Sequence, residues 1–462
     1  MRFAIYISVL LALLPLCLLR PFFGLCLYYV VSLMQPKFLC WRPDFQDSLL
    51  VGVPMVIGAV VFGVHRWVMV PRISPVTGRP TALEPRRVRS PLVEPSLLLV
   101  VLGLLLTYIT LTRFLGDEPL EPTSAAFRRL LKMGLVVALL TGMASDERRF
   151  RILYAVVALA VAFWAVKGGI RVLMLGPHRV YGFSYDNNLF ALTTTMVLPM
   201  VFYLGITWRN PRLRVAMLVC CALMGIAVIC SESRAGFLAM CVVLACLAWT
   251  SRYRVRAMIG VAVLAAAALA TSSTEIRHRL STIVNYEQDI SARSRFRTWS
   301  DAVAVMSEHP ALGVGFGNYE RAVNRVTGGR KAAHNIWLSS LAELGMLGYP
   351  LWLALVLGSM AQAWWLTRVG RQAPPELRWT YHLARGLLLG LVAYAVHGFF
   401  HNEEYLDLAF AMMGLIVALQ VVLRRELQTR RIGAGLESAK SDDRRAATRP
   451  APVRPTMAVA PC

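Results

Sequence analysis

The chain has little charge for its length: 16% of its 462 residues are Asp, Glu, Lys or Arg, against 57% hydrophobic ones. A soluble protein of this size carries more, so a wholly water-exposed architecture is excluded and many stretches must lie in lipid. Acidic residues are the scarcer sign, 26 against 49 Lys and Arg, which leaves a formal charge of +23. Cysteine occurs nine times but never as CxxC or at ligand spacing, and Cys17, Cys26, Cys220, Cys221, Cys230, Cys241 and Cys246 sit inside apolar runs. That speaks against a disulfide framework or a cysteine metal site and leaves small core residues. No internal repeat is visible, which weakens an inverted-repeat transporter reading. The first apolar run has no small-residue cleavage site near Leu18–Pro21, so it reads as a membrane element.

What the sequence has instead is apolar runs near bilayer-crossing length, recurring from Phe3–Leu19 to Leu406–Leu423. They predict an all-α polytopic membrane protein of about 12 transmembrane helices. Arginines crowd particular connections: Arg66 to Arg89, Arg148 to Arg151, Arg209 to Arg214, Arg252 to Arg256, Arg368 to Arg378, and the tail from Arg424. An even number of runs separates these clusters, so all fall on one side, which the positive-inside rule makes cytoplasmic. Loop topology then explains most of the charge, and nucleic acid is not an expected partner. The opposite side receives Asp117–Arg129, Lys167–Asn188, Ser231–Arg234, Ser272–His334 and His397–Tyr405.

The expected organisation is an N-terminal bundle over residues 1–271 and a large periplasmic loop with short helices over 272–334. C-terminal membrane helices over 335–423 and a basic cytoplasmic tail over 424–462 complete it. From Ile432 the tail is rich in Arg, Ala, Pro and Ser and predicts no order. Long non-repetitive loops in compact proteins usually carry function.

In that loop, "SRFRTWSDAVAVMSEHP" has helical periodicity ending at Pro310. Arg295, Trp299, Ala302 and Met306 share one face, and Arg297, Asp301, Ala304 and Glu308 nearly the opposite one. Arg297 can pair with Asp301 at i+4, whereas Arg295 shares the apolar face, where a guanidinium needs an anion. Arg234 in "SESRAGFLAM" falls in the first turn of a helix that Ser231 is expected to cap. A cation there opposes the dipole, so either local pairing with Glu232 or a bound phosphate must favour it. His334 and Asn335 begin the next helix, and Asn335, Ser339 and Glu343 form a polar stripe that faces a cavity or a partner helix. His334 reads as a general base, a phosphate donor or a cap.

Two other stretches read more plainly. "GVGFGNY", ending at Tyr319, lacks the spacing of a dinucleotide fingerprint and reads as a tight loop after the Arg295 helix. "HGFFHNEEY" sets His397 and His401 near Glu403 and Glu404 without a third well-placed ligand, so no metal is expected. Asp186, Asn187 or Asn188 caps a span, and Arg179 is a second-rank anion contact.

"SESRAG", "SRFRTW" leading into "EHPALGVGFGNY", and "AHNIWLSSLAELGMLG" together resemble the O-antigen ligase/polymerase superfamily. "RPFFGLCLYYVVSLMQP", "VKGG" and "YDNN" further resemble its exosortase-A-associated O-glycosylation ligase branch. The resemblance implies a C-type glycosyltransferase-like fold in a bacterial inner membrane, with its active site facing the periplasm. It implies an enzyme that uses a polyprenyl-diphosphate-linked glycan, needs neither metal, cofactor nor nucleotide sugar, and serves a protein, lipid or saccharide acceptor. By motif, Arg234, Arg295 and His334 become the catalytic candidates, with Asn335, Glu343, Arg179, Tyr319 and Arg297 as substrate contacts. A polymerase joining lipid-linked repeats and a non-enzymatic lipid-glycan transporter are the alternatives.

Overall fold

The computed structural model describes residues 1–42, 44–73, 80–115, 121–182, 186–250, 254–256, 258–259, 290–328 and 332–447. Within them lie α1 (Arg2–Leu19), α2 (Pro21–Tyr29), α3 (Asp47–Val61), β1 (Val64–Ile73), β2 (Pro80–Ser90), α4 (Leu97–Leu115) and α5 (Glu121–Met143). There follow α6 (Glu147–Leu175), α7 (Asn187–Thr207), α8 (Pro211–Ile229), α9 (Arg234–Trp249), α10 (Ile290–Glu308) and α11 (Tyr319–Thr327). The last are α12 (Ile336–Gln372), α13 (Arg378–His397) and α14 (Asp407–Ala447).

Among the described residues, seven helices are long and apolar enough to cross a membrane: α1, α6, α7, α8, α12, α13 with its flanking turns, and α14. Four shorter apolar helices accompany them, at Pro21–Met34, Asp47–Val61, Leu97–Arg113 and Arg234–Trp249. The predicted run Ala257–Ala270 lies outside the described residues apart from 258–259. On α4, Leu97, Val100, Leu104 and Leu111 are all exposed and recur at helical spacing. Such a stripe suits lipid rather than water.

Two compact units form, Met1–Val64 with Ser90–Val422, and His65–Arg89 with Leu423–Cys462. In the first, α7 is the central helix, packed on α6, α8, α9 and α13. It is apolar on every side, as a helix with no solvent face must be. Glycine lets helices approach closely there: Gly390 on α13 sits against the Met196 carbonyl of α7 and Met412 of α14, where a Cβ would collide.

The second unit adds to one expectation and corrects another. The arginine-rich connection after α3 is a two-stranded sheet of β1 and β2, a hairpin on a chain whose helices and spans are otherwise consistent with an all-α polytopic membrane protein. Both strands are edges, so Pro85 within β2 is tolerated. The tail expected without order continues as α14 to Ala447, where Gly433 faces Leu83 of β2. Residues 448–462 lie outside the described residues.

Candidate active site

The five connections that the charge pattern placed on one side do meet at one end of the first unit. Arg129, at the start of the apolar part of α5, forms an ion pair with Asp407 at 2.9 Å. The Asn187 carboxamide donates to the Ser231 carbonyl at 2.9 Å, and the Val180 amide to that of Cys230 at 3.0 Å. Arg295 lies over the Phe400 ring, 5.5 Å from its centroid.

The start of α9 is built by its cap. Ser233, not Ser231, is the N-cap: its hydroxyl accepts from the Gly236 amide at 3.1 Å. The same hydroxyl donates to Asn188 Oδ1 at 2.7 Å, which ties the turn to α7. Asp186 caps α7, accepting from the amides of Asn188 at 2.7 Å and Leu189 at 3.2 Å. Arg234 is therefore the first residue of α9, one position from this junction. Glu232 takes a left-handed conformation, φ 60°, and its carboxylate pairs with Arg179 at 3.3 Å.

α12 is broken, and the break is what holds the long loop in place. Gly345, with φ 61° and ψ −175°, interrupts the helix and frees backbone groups around it. The 310–315 strip fills the gap: the Val314 and Gly315 amides donate to the Ala342 and Glu343 carbonyls at 3.0 and 2.9 Å. In return the Met346 and Leu347 amides donate to Pro310 and Ala311 at 2.8 and 3.1 Å, and the Tyr108 hydroxyl donates to Leu344 at 2.7 Å. Gly313 and Gly345 touch backbone to backbone, which no side chain would permit. In a membrane helix such freed groups must be satisfied inside the protein. So "GVGFGNY" lies in a loop as expected, and that loop also splices the broken helix.

α10 stands on that loop. Its buried face runs through Thr298, Ala302 and Val305, one position round from the expected Arg295, Trp299, Ala302, Met306 stripe. Arg295 borders the buried face and is half-buried, while Arg297 is exposed. No Arg297–Asp301 ion pair forms among the described residues. The Thr298 hydroxyl donates to the Ala333 carbonyl at 3.2 Å and so fixes the segment leading to His334.

His334 is exposed and left-handed, φ 48°. It is not the helix cap. Asn335 is, its Oδ1 accepting from the Trp337 and Leu338 amides at 2.9 and 3.1 Å. A non-glycine residue held in this backbone region is uncommon and concentrates at functional sites. His401 lies within electrostatic reach of His334, Arg295 and Asp186. Burial pushes its imidazole down to about 4; His334 and Arg295 act the same way and Asp186 opposes them. His397 stands beside it, with ring centroids 5.8 Å apart. Neither His397 nitrogen, nor Nε2 of His401, has a hydrogen-bond partner among the described residues. The described residues contain no group of three or more side chains set to hold a metal.

Of the sequence candidates, Arg295 and His334 therefore converge around His401, and Arg234 sits at the junction that Asp186 helps to form. Other candidates are engaged by the protein itself. Asn335 caps its own helix and Arg179 holds Glu232. Tyr319 is buried beside Ala302, Val305 and Val323, its hydroxyl directed at the Thr298 carbonyl at 3.4 Å. Glu343 is buried and meets the amides of Gly317 and Tyr319, so the polar stripe faces a partner segment and not an open cavity. His401 and Phe400 are not among the candidates that the sequence offers for substrate. Four ionisable groups in one short connection on the same side as Arg295 were the available signal.

Residues 219–353 match the family model described as O-antigen ligase. The matched stretch contains Arg234, Arg295 and His334 and stops short of His397 and His401. No curated protein matches the chain. The match supports glycosyl transfer of the ligase or polymerase type by a multi-pass membrane protein, with a lipid-linked glycan donor and an acceptor.

Proposed function

We propose that the protein transfers a glycan from a polyprenyl diphosphate to an acceptor hydroxyl at the periplasmic face of a bacterial inner membrane. The observation that carries this reading is the convergence of Arg295, His334 and neutral His401 beside the helix start that bears Arg234. As the anomeric C–O bond breaks, the leaving diphosphate gathers negative charge. The guanidiniums of Arg234 and Arg295 and the first amides of α9 lower the energy of that charge where it develops. His334, at the surface, takes the acceptor hydroxyl's proton as its oxygen attacks the anomeric carbon. A new glycosidic bond replaces the old one, polyprenyl diphosphate leaves, and the proton resides on His334. Uncharged His401 offers Nε2 to a substrate oxygen without adding a third cation.

The N-terminal stretches favour the exosortase-associated branch, in which the acceptor is a protein hydroxyl, a lipid or a saccharide. Reconstitution in proteoliposomes with a lipid-linked glycan and each acceptor class tests the reading. Glycosylated acceptor and free polyprenyl diphosphate are expected. Movement of the intact lipid-linked glycan across the bilayer, with no bond broken, would identify a transporter instead. Reporter fusions at Gly328 and Ala447 test sidedness, and matching cytoplasmic signals at both would refute it.

A further inference from the structure

A cavity of about 140 Å³ opens between the segment that follows α2, the helices α5, α6 and α7, and the segment following His401. Its walls include Leu33, Val161 and Phe190, and its polar groups include Gln35, Arg129, Glu403 and Asp407. We infer that this cavity is a subsite for one pyranose ring of the reacting glycan. The inference rests on the glycosyl-transfer reading above and deepens it.

Size is the first argument. A cavity of roughly 150 Å³ accepts a six-membered ring such as benzene, whereas drug-sized ligands need clefts of roughly 300 Å³ or more. The enclosed space is on the scale of a single ring. Chemistry is the second. An isoprenoid tail makes no bond to a guanidinium, two carboxyls and a carboxamide lining the cavity, whereas ring hydroxyls do. Asp407 is already neutralised by Arg129 at 2.9 Å, so the wall offers paired donors and acceptors rather than a bare charge for an ion. Trp164 supplies a fixed aromatic wall, its Nε1 donating to the Met34 carbonyl at 2.6 Å. An apolar body with a few placed polar groups is how small-molecule sites obtain orientation.

Position is the third. Glu403 is two residues from His401, and Asp186, which caps α7, acts electrostatically on both. Leu189 and Phe190 of the cavity wall lie in the first turn that Asp186 caps. Burial pushes the Glu403 carboxyl up and Arg129 opposes it. A ring held here sits next to the groups assigned to bond exchange.

That ring could belong to the donor, as the sugar next to the diphosphate, or to a saccharide acceptor. The experiment separates the two. Purified full-length protein is titrated with bare polyprenyl diphosphate, with the same lipid carrying one N-acetylhexosamine, and with a free oligosaccharide. Glu403→Gln and Trp164→Phe are compared with wild type, and thermal unfolding confirms that each variant is folded. The expected result is roughly tenfold weaker binding of one sugar-bearing probe by both variants, the magnitude of one lost charged hydrogen bond, with bare lipid bound equally. Loss confined to the hexosamine lipid assigns the donor ring; loss confined to the oligosaccharide assigns the acceptor ring. Equal binding of every sugar-bearing probe by wild type and both folded variants overturns the subsite. Failure of the glycosyl-transfer reading would show separately, as wild type that does not bind bare polyprenyl diphosphate, and the oligosaccharide titration would still decide the subsite.

Discussion

The starts of α9 and α12 use the same backbone device for opposite ends. At each, a left-handed non-glycine residue precedes a polar cap: Glu232 before Ser233, and His334 before Asn335. At α9 the left-handed side chain is turned inward, its carboxylate paired with Arg179, and the residue after the cap is the candidate cation Arg234. At α12 the left-handed side chain is exposed while the cap Asn335 and Ile336 after it are buried. A strained turn thus serves as an anchor in one place and as a mount for an imidazole in the other. Local sequence does not tell the two apart; the neighbours do.

The largest effect that would break this comparison is at His334. His334→Asn keeps a residue that tolerates left-handed backbone, so the unfolding temperature should hold while transfer falls more than about a hundredfold. Glu232→Asn should do the reverse, lowering stability by roughly 1 kcal/mol through the lost Arg179 contact and leaving transfer within a few-fold. Retained transfer in the His334 variant at normal expression would show both turns to be anchors. Next comes the pair of arginines on α10. Arg295→Ala should lose on the order of 3 kcal/mol of transition-state stabilisation, over a hundredfold in rate, while exposed Arg297→Ala should stay near wild type. The opposite ranking in a membrane activity assay would overturn the assigned face.

The caps should differ less. Ser233→Ala and Asn335→Ala should each cost about 1 kcal/mol, read from thermal unfolding. The smallest effect is that of pH. Because the His401 pKa is lowered in the fold from 6.5 to about 4, the unfolded chain binds this proton first as pH falls. Stability should therefore decline from about pH 6.5 towards pH 4, and His401→Gln should flatten that part of the profile. An unchanged profile in the variant would mean that His401 is not held neutral.

Membrane character, the helical form of most runs, and which connections share an end were all legible in the sequence. Each follows from local composition: apolar length decides which runs suit lipid, and the spacing of arginine clusters groups the connections between them. Arg295 could be told from Arg297 because helical spacing alone separates their faces. The cap positions were missed by one or two residues, since Ser231 and Ser233 carry the same chemistry and only the Glu232 turn selects between them.

What the sequence could not decide is whatever depends on a partner far along the chain. Glu343 looked available for substrate until the Gly317 and Tyr319 amides were brought against it. Gly345 looked like one glycine of an apolar helix until the 310–315 strip, thirty residues upstream, filled the break it makes. His401 acquired its neutral state from burial, with Arg295 and His334 acting the same way and Asp186 against them, groups that lie far apart along the chain. Composition and periodicity act within a turn or two of helix. Desolvation, close backbone approach and charge convergence exist only once distant segments share one volume, and so only the tertiary structure set them.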